Sequence, residues 1–168
     1  MFSKIIATGS YLPENIVTNR DLEQQVDTTD EWIRSRTGIE QRRIASIHQN
    51  TSDLAYEAAN RAINKAEIAA ESIDLIIVGT CTPDVVTPNV GTIIQEKLGI
   101  KNSAAFSVEA ACSGFIYAMN IADKFIRSRD ASCALVVGAD TLSRITDWTD
   151  RNTCVLFADG AGATILQP

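Results

Sequence analysis

The stretch "AACSG" at residues 110–114 frames a cysteine with small neighbours. Before it runs "AAFSV", of strand character. After it Phe115, Ile116, Met119, Ala122 and Ile126 recur at helical spacing. The pattern predicts a buried helical stripe to about Arg127, with Cys112 in the helix's first turn. At such a place free backbone N–H groups and the positive end of the helix dipole favour the thiolate, which is the nucleophilic form. Ala110, Ala111, Ser113 and Gly114 suit a tight strand-to-helix turn. They also leave room for a substrate carbonyl whose developing negative charge a backbone N–H can meet. An inert buried cysteine at a crowded junction uses the same residue types, so residue chemistry alone leaves both readings open.

A second constellation is Trp32 and Arg36, four apart in "DEWIRSRT". On a helix they share a face and present an indole beside a guanidinium. The indole can stack on a nucleobase, and the guanidinium can hold phosphate through two parallel hydrogen bonds. An intrahelical cation–π pair on a surface helix explains the spacing equally well. Arg42 and Arg43 add either positive potential or a solvated basic face.

Other reactive residue types read differently. Cys133 in "SCALVVGAD" and Cys154 in "NTCVLFAD" lie in apolar, strand-like runs, where cysteine acts as a small buried hydrophobe. Cys81, in "VGTCTPD", follows a strand, a position open both to a buried role and to one facing a cleft. No C-x-x-C pair is present, so neither zinc nor a disulfide framework is expected. The one histidine, His48, sits in the polar stretch "ASIHQNTS" and reads as a solvated loop residue. "DGAGA" at 159–163 precedes a strand and lacks the third glycine of a dinucleotide fingerprint; it reads as a tight backbone passage near the active site. Trp148 reads as an exposed rim residue.

The elements that must position these residues alternate between strand and helix. "SIDLIIVGT" and "CALVVGAD" are short continuous apolar runs, the mark of strands covered on both faces. The fold class is therefore α/β, a mainly parallel mixed sheet with helices on its faces. In "TPNVGTIIQEKLG", Thr87 is a candidate N-cap, Pro88 the first helical residue and Gly99 the terminator. Leu54, Ala58, Ala62 and Ala66 give an alanine face that can pack close to a neighbour. Thr18 and Asp21 have capping-box spacing, and Thr29 can cap a helix that Gly38 ends.

The 168 residues suffice for one domain with a substantial core. The net charge of -6, from 21 acidic and 15 basic residues along the chain, argues against a nucleic-acid surface or a polybasic membrane anchor. No apolar run approaches the roughly 20 residues of a membrane span. The first residues lack a basic start followed by a long apolar stretch. A cytoplasmic protein is expected.

Several motifs in order, "KIIATGSYLPENIVTNRDLE", "DTTDEWIRSRTGIEQRRIA", "EAACSGFIYA", "LVVGADTLSR", "TDRNT" and "FADGAGATIL", together resemble the amino-terminal half of β-ketoacyl-acyl carrier protein synthase III. The resemblance implies a thiolase-like fold in which two similar α/β halves form an αβαβα layered body. Residues 1–168 would be the nucleophile-bearing half, with the carboxy-terminal half absent. It further implies a bacterial acyltransferase that starts fatty-acid synthesis by decarboxylative condensation of acyl-CoA with malonyl-acyl carrier protein through an acyl-Cys112 intermediate. In the family a histidine and an asparagine of the second half assist decarboxylation, and neither is present here. Thr28, Trp32, Arg36 and Arg151 match CoA-binding positions, with Trp32 and Arg151 flanking the adenine. Leu142 and Phe157 match acyl-pocket positions, although both residue types serve equally well in an ordinary core, and Thr87 matches the end of that pocket across a dimer interface. No cofactor is implied, since the CoA thioester is a substrate, and the complete enzyme would be a homodimer. The alternative is a non-catalytic thiolase-like half that pairs with another chain; a dinucleotide-binding oxidoreductase loses on the missing fingerprint.

Overall fold

The two apolar runs that read as doubly covered strands do lie at the centre of a sheet. The computed structural model describes residues 2–168. In chain order its elements are β1 (Lys4–Tyr11), β2 (Asn15–Thr18), α1 (Asn19–Glu23), α2 (Asp30–Thr37), β3 (Gln41–Ile44) and α3 (Thr51–Ala66). They continue with β4 (Leu75–Gly79), α4 (Val90–Lys97), β5 (Ala104–Val108), α5 (Gly114–Ser128), β6 (Ala134–Thr141) and β7 (Asp159–Gln167).

The five-stranded sheet has the order β1-β7-β6-β4-β5. β4 pairs in parallel with both β5 and β6, while β7 is antiparallel to its neighbours β6 and β1. β1 therefore runs with β6, and only β7 points the other way. A separate ribbon pairs β2 with β3.

Strand periodicity explains the continuous apolar runs, because successive side chains enter opposite cores. Ile76 and Val78 of β4, with Leu135 and Val137 of β6, pack under α3 and α4. Leu75 and Ile77, with Ala134 and Val136, pack under α5. The alanine face of α3 does what its small side chains permit. A Cβ at Gly9 of β1 would lie 2.3 Å from the Ala58 carbonyl oxygen, so helix and strand backbones nearly touch.

Several local expectations hold. Thr18 and Asp21 form the capping box of α1. The Thr29 side chain accepts from the Trp32 N–H, and Gly38 ends α2 at φ 74°. The start of α4 differs. Its N-cap is Asn89, whose side chain accepts from the Thr92 N–H, so Thr87 and Pro88 lie outside the helix. "DGAGA" also differs, since it is the first part of β7 and pairs on both sides instead of preceding a strand.

On α5 the expected stripe is nearly right. Ala118, Ala122 and Ile126 are buried, and Phe115 and Met119 are partly so, but Ile116 is 63% exposed. Beside α5 a groove of about 370 Å³, lined by residues including Phe115, Gly138, Gly162 and Thr164, lies open. Among the described residues no helix is long and apolar enough to cross a membrane.

Candidate functional site

Parallel pairing brings the C-terminal ends of β6, β4 and β5 to one edge of the sheet, the side where open α/β folds commonly bind ligands. Beyond β4 comes Cys81, beyond β5 Cys112, and beyond β6 the segment from Leu142 to Arg151.

Cys112 sits in a single 3-10 turn, Ala111–Ser113, immediately before α5. It therefore lies one step outside the helix rather than in its first turn. Ala111 ahead of it has φ +44°, a conformation that costs an L-residue about 1–2 kcal/mol. What holds this turn is close packing beneath it. A Cβ on Gly79, at the end of β4, would meet the Gly114 carbonyl carbon at 2.6 Å, so the start of α5 rests directly on the strand. The next strand helps, since Gly138 of β6 faces the Phe115 side chain. A strained turn seated on glycine presents its side chain outward. Of the four free cysteines Cys112 is exposed, Cys81 half-buried, and Cys133 and Cys154 buried.

Cys81 has a different environment. One carboxylate oxygen of Asp140, Oδ1, accepts from the Thr80 hydroxyl at 3.0 Å, the Cys81 N–H at 2.8 Å and the Thr82 hydroxyl at 2.9 Å. The Cys81 thiol lies 3.4 Å from the same oxygen. Burial and the Asp140 charge both disfavour the thiolate, and the Cys81 pKa is pushed up to about 11. Burial likewise raises the thiols of Cys133 and Cys154. Cys154 is buried as expected, but in a turn rather than a strand.

Trp32, Arg36 and Arg151 come together. The Arg36 guanidinium carbon is 4.6 Å from the centroid of the Trp32 ring, and that of Arg151 is 4.7 Å from it. Arg151 also reaches the Asp27 carboxylate at 3.6 Å. Thr28, next in sequence, has a buried hydroxyl oxygen with no hydrogen-bond partner. A buried unpaired hydroxyl is costly and suits a polar ligand group.

Trp148 is no exposed rim residue. Its indole N–H donates to the Ser143 carbonyl at 3.0 Å, and its ring packs with Trp32 on a small core of Leu22, Ile33, Cys154 and Val155. Arg42 is no solvated base either: it is 4% exposed, and burial lowers its pKa from the usual guanidinium value. Arg43 donates to the Pro13 carbonyl at 3.0 Å. His48 is exposed in a turn.

The acyl-pocket candidates are spread out. Leu142 lies half-buried in the turn after β6, and Phe157 half-buried before β7. Thr87 is exposed on the segment between β4 and α4. Sequence reading missed Asp140 and Asp159. The Asp159 carboxylate accepts from the Ala45 N–H at 2.7 Å and the Ser143 N–H at 2.8 Å, fixing the turns that carry Leu142 and Trp148. Carboxylates closing "GAD" and "FAD" just where apolar runs end were the available signal. Among the described residues no cluster of metal-ligating side chains occurs.

Comparison with known proteins places this arrangement. The model of the family 3-oxoacyl-[acyl-carrier-protein (ACP)] synthase III matches residues 106–168. The chain is 58% identical over 167 residues to a β-ketoacyl-[acyl-carrier-protein] synthase III of Xanthomonas campestris pv. campestris, covering 99% of this chain and 51% of that protein. It is 59% identical over 164 residues to its counterpart in Clostridium acetobutylicum, covering 98% and 50%. The crystal structure of 3-oxoacyl-[acyl-carrier-protein] synthase III from Aquifex aeolicus superposes with a TM-score of 0.96 at 51% identity, covering 99% of this chain and 54% of that one. The chain spans about half the length of the curated relatives it matches. With this agreement of sequence and thiolase-like fold across nearly all its residues, the chain belongs to the β-ketoacyl-acyl carrier protein synthase III family.

Proposed function

We propose that this chain is the amino-terminal, nucleophile-bearing half of an acyltransferase that begins fatty-acid synthesis by condensing acyl-CoA with malonyl-acyl carrier protein. The observation that carries the reading is Cys112, exposed on the strained Ala111 turn between β5 and α5. Its thiolate attacks the thioester carbonyl of acyl-CoA. The carbon–sulfur bond to CoA breaks, CoA leaves as the thiolate and takes up the equivalent of the proton that Cys112 released, and the acyl group stays on Cys112. Malonyl-acyl carrier protein then loses CO₂. The resulting carbanion attacks the acyl carbonyl and the Cys112 sulfur leaves, so one difficult condensation becomes two easier steps.

Trp32, Arg36, Arg151 and Thr28 hold the nucleotide end of CoA. Their support is the shared guanidinium–indole cluster and the unpaired Thr28 hydroxyl. Leu142 and Phe157 line the acyl pocket, with Thr87 closing it across a homodimer interface. No metal or prosthetic group takes part, and the enzyme works in the cytoplasm. Decarboxylation is assisted by the carboxy-terminal half, which packs over the open groove beside α5 and its exposed Ile116 and Tyr117. A purely structural half has no use for an exposed thiol on a strained turn.

The test is acyl transfer in the complete enzyme. Acyl-CoA adds the mass of one acyl group to Cys112, and Cys112→Ser abolishes it while Cys81→Ser does not. Acylation confined to Cys81 overturns the assignment. Full condensation turnover by the isolated 168-residue chain overturns the division of labour.

A further inference from the structure

Arg42 is a buried charge held by neutral oxygens. Its guanidinium donates to the Val17 carbonyl at 3.1 Å, the Asn19 Oδ1 at 2.7 Å and the Val155 carbonyl at 3.5 Å. Among the described residues no carboxylate lies within ion-pair distance of it. Burying a guanidinium without a counter-charge is expensive, and similar volume could be filled by an apolar side chain at no loss of stability. The arrangement calls for a reason other than packing.

Asn19 supplies the other end of the connection. It is 1% exposed, and its Nδ2 donates to Asp30 Oδ1 at 2.8 Å and to the Ile39 carbonyl at 2.7 Å while its Oδ1 accepts from Arg42. Every polar atom of that side chain is used. Asp30 is the first residue of α2, the helix that carries Trp32 and Arg36. Val155 belongs to the turn that carries Arg151, where the Cys154 N–H bonds back to the Asp150 carbonyl at 3.0 Å. One polar chain, Val155–Arg42–Asn19–Asp30, thus joins two segments far apart in sequence whose side chains meet at the Trp32 ring.

We infer that Arg42 and Asn19 are positioning residues that hold α2 and the Arg151 turn at the separation and angle needed to grip the nucleotide end of CoA. The inference rests on the proposed CoA reading of Trp32, Arg36 and Arg151. Neither Arg42 nor Asn19 touches the ligand. The planar fork of Arg42 suits the task because it bonds Asn19 and Val155 from one rigid group, which the single ammonium of lysine cannot do.

The experiment compares two primers in the complete enzyme, acetyl-CoA and acetyl-pantetheine, which carries the same thioester without the nucleotide. Arg42→Met raises KM for acetyl-CoA by about tenfold to a hundredfold, the scale of a misplaced binding group. It leaves kcat and every parameter for acetyl-pantetheine unchanged. Arg42→Lys gives the same selective loss, and it keeps the test open should the methionine variant fold poorly. Equal losses with both primers in either folded variant, or no loss with either, overturn the inference. A wild-type enzyme that does not favour acetyl-CoA over acetyl-pantetheine overturns the CoA reading itself, and the inference with it.

Discussion

The Arg151 guanidinium lies over the Trp32 ring, 4.7 Å from its centroid, where an adenine sandwiched between the two would have to enter. An exposed cation–π contact is worth about 0.5–1 kcal/mol. Base stacking on an aromatic ring is worth about 1–3 kcal/mol. On the proposed CoA reading, the nucleobase would displace the guanidinium, which can close again over the base.

Trp32→Ala accordingly weakens CoA binding in the complete enzyme by roughly 10- to 100-fold, following the stacking energy. Isothermal titration with CoA checks it. In a Trp148→Phe background Trp32 is the one tryptophan among residues 1–168, and a CoA-dependent fluorescence change that Trp32→Ala abolishes reports on it. Unchanged affinity in the alanine variant sinks the stacking role.

The two thiols at the edge of the sheet differ in their response to pH. A pKa pushed up to about 11 leaves Cys81 protonated at neutral pH, and its thiolate grows only as pH rises toward that value. At pH 8 roughly one Cys81 in a thousand is thiolate, since each pH unit below the pKa cuts the thiolate tenfold. Iodoacetamide at pH 8 therefore labels the exposed Cys112 well before Cys81, as read by peptide mass spectrometry. Asp140→Asn removes the negative charge beside Cys81 and speeds its labelling.

Gly79→Ala tests the seat beneath the Cys112 turn. Its new Cβ would lie 2.6 Å from the Gly114 backbone, and neither element can yield without moving a strand or a helix. A loss of about 1–3 kcal/mol, the cost of overpacking, is expected in urea unfolding, with slower acylation of Cys112.

Thr87 and Asn89 separate two roles that the sequence assigned to one residue. Because Asn89 caps α4, Asn89→Ala lowers thermal stability, by about 1 kcal/mol. Thr87→Phe leaves stability nearly unchanged. In the complete enzyme it reduces activity with long acyl-CoA while sparing acetyl-CoA, each lost methylene contact being worth about 0.8 kcal/mol. Equal loss with both primers sinks the pocket role of Thr87.

What could be read from the sequence was what local pattern controls. Ala58 and Ala62 announced a close-packed helix, and the apolar runs of β4 and β6 announced strands covered on both sides. Thr29 and Gly38 marked both ends of α2, the helix that carries Trp32 and Arg36. The errors came where a distant partner decides. Ile116 shares helical spacing with α5's buried residues, yet it points off the flank of the helix that the sheet does not cover. Arg42 looks like any surface base until residues 17, 19 and 155 fold around it. At α4 the sequence reading put the cap at Thr87, two residues before the true one. Asn89 prevails because its side chain reaches the Thr92 N–H.

β7 inserts between β1 and β6, so β1 must wait for residues 159–167 before it has a neighbour. At a synthesis rate of about 5–20 residues per second, that wait lasts on the order of ten seconds on the ribosome. Throughout it β1 has no strand partner, and once residues 134–141 are made the open edge of β6 joins it as a surface free to pair with another nascent chain. Pulsed hydrogen exchange during refolding should show β1 and β7 amides becoming protected together, after those of β4 and β5. The vulnerable interval in this protein's life is set by the strand order of its sheet.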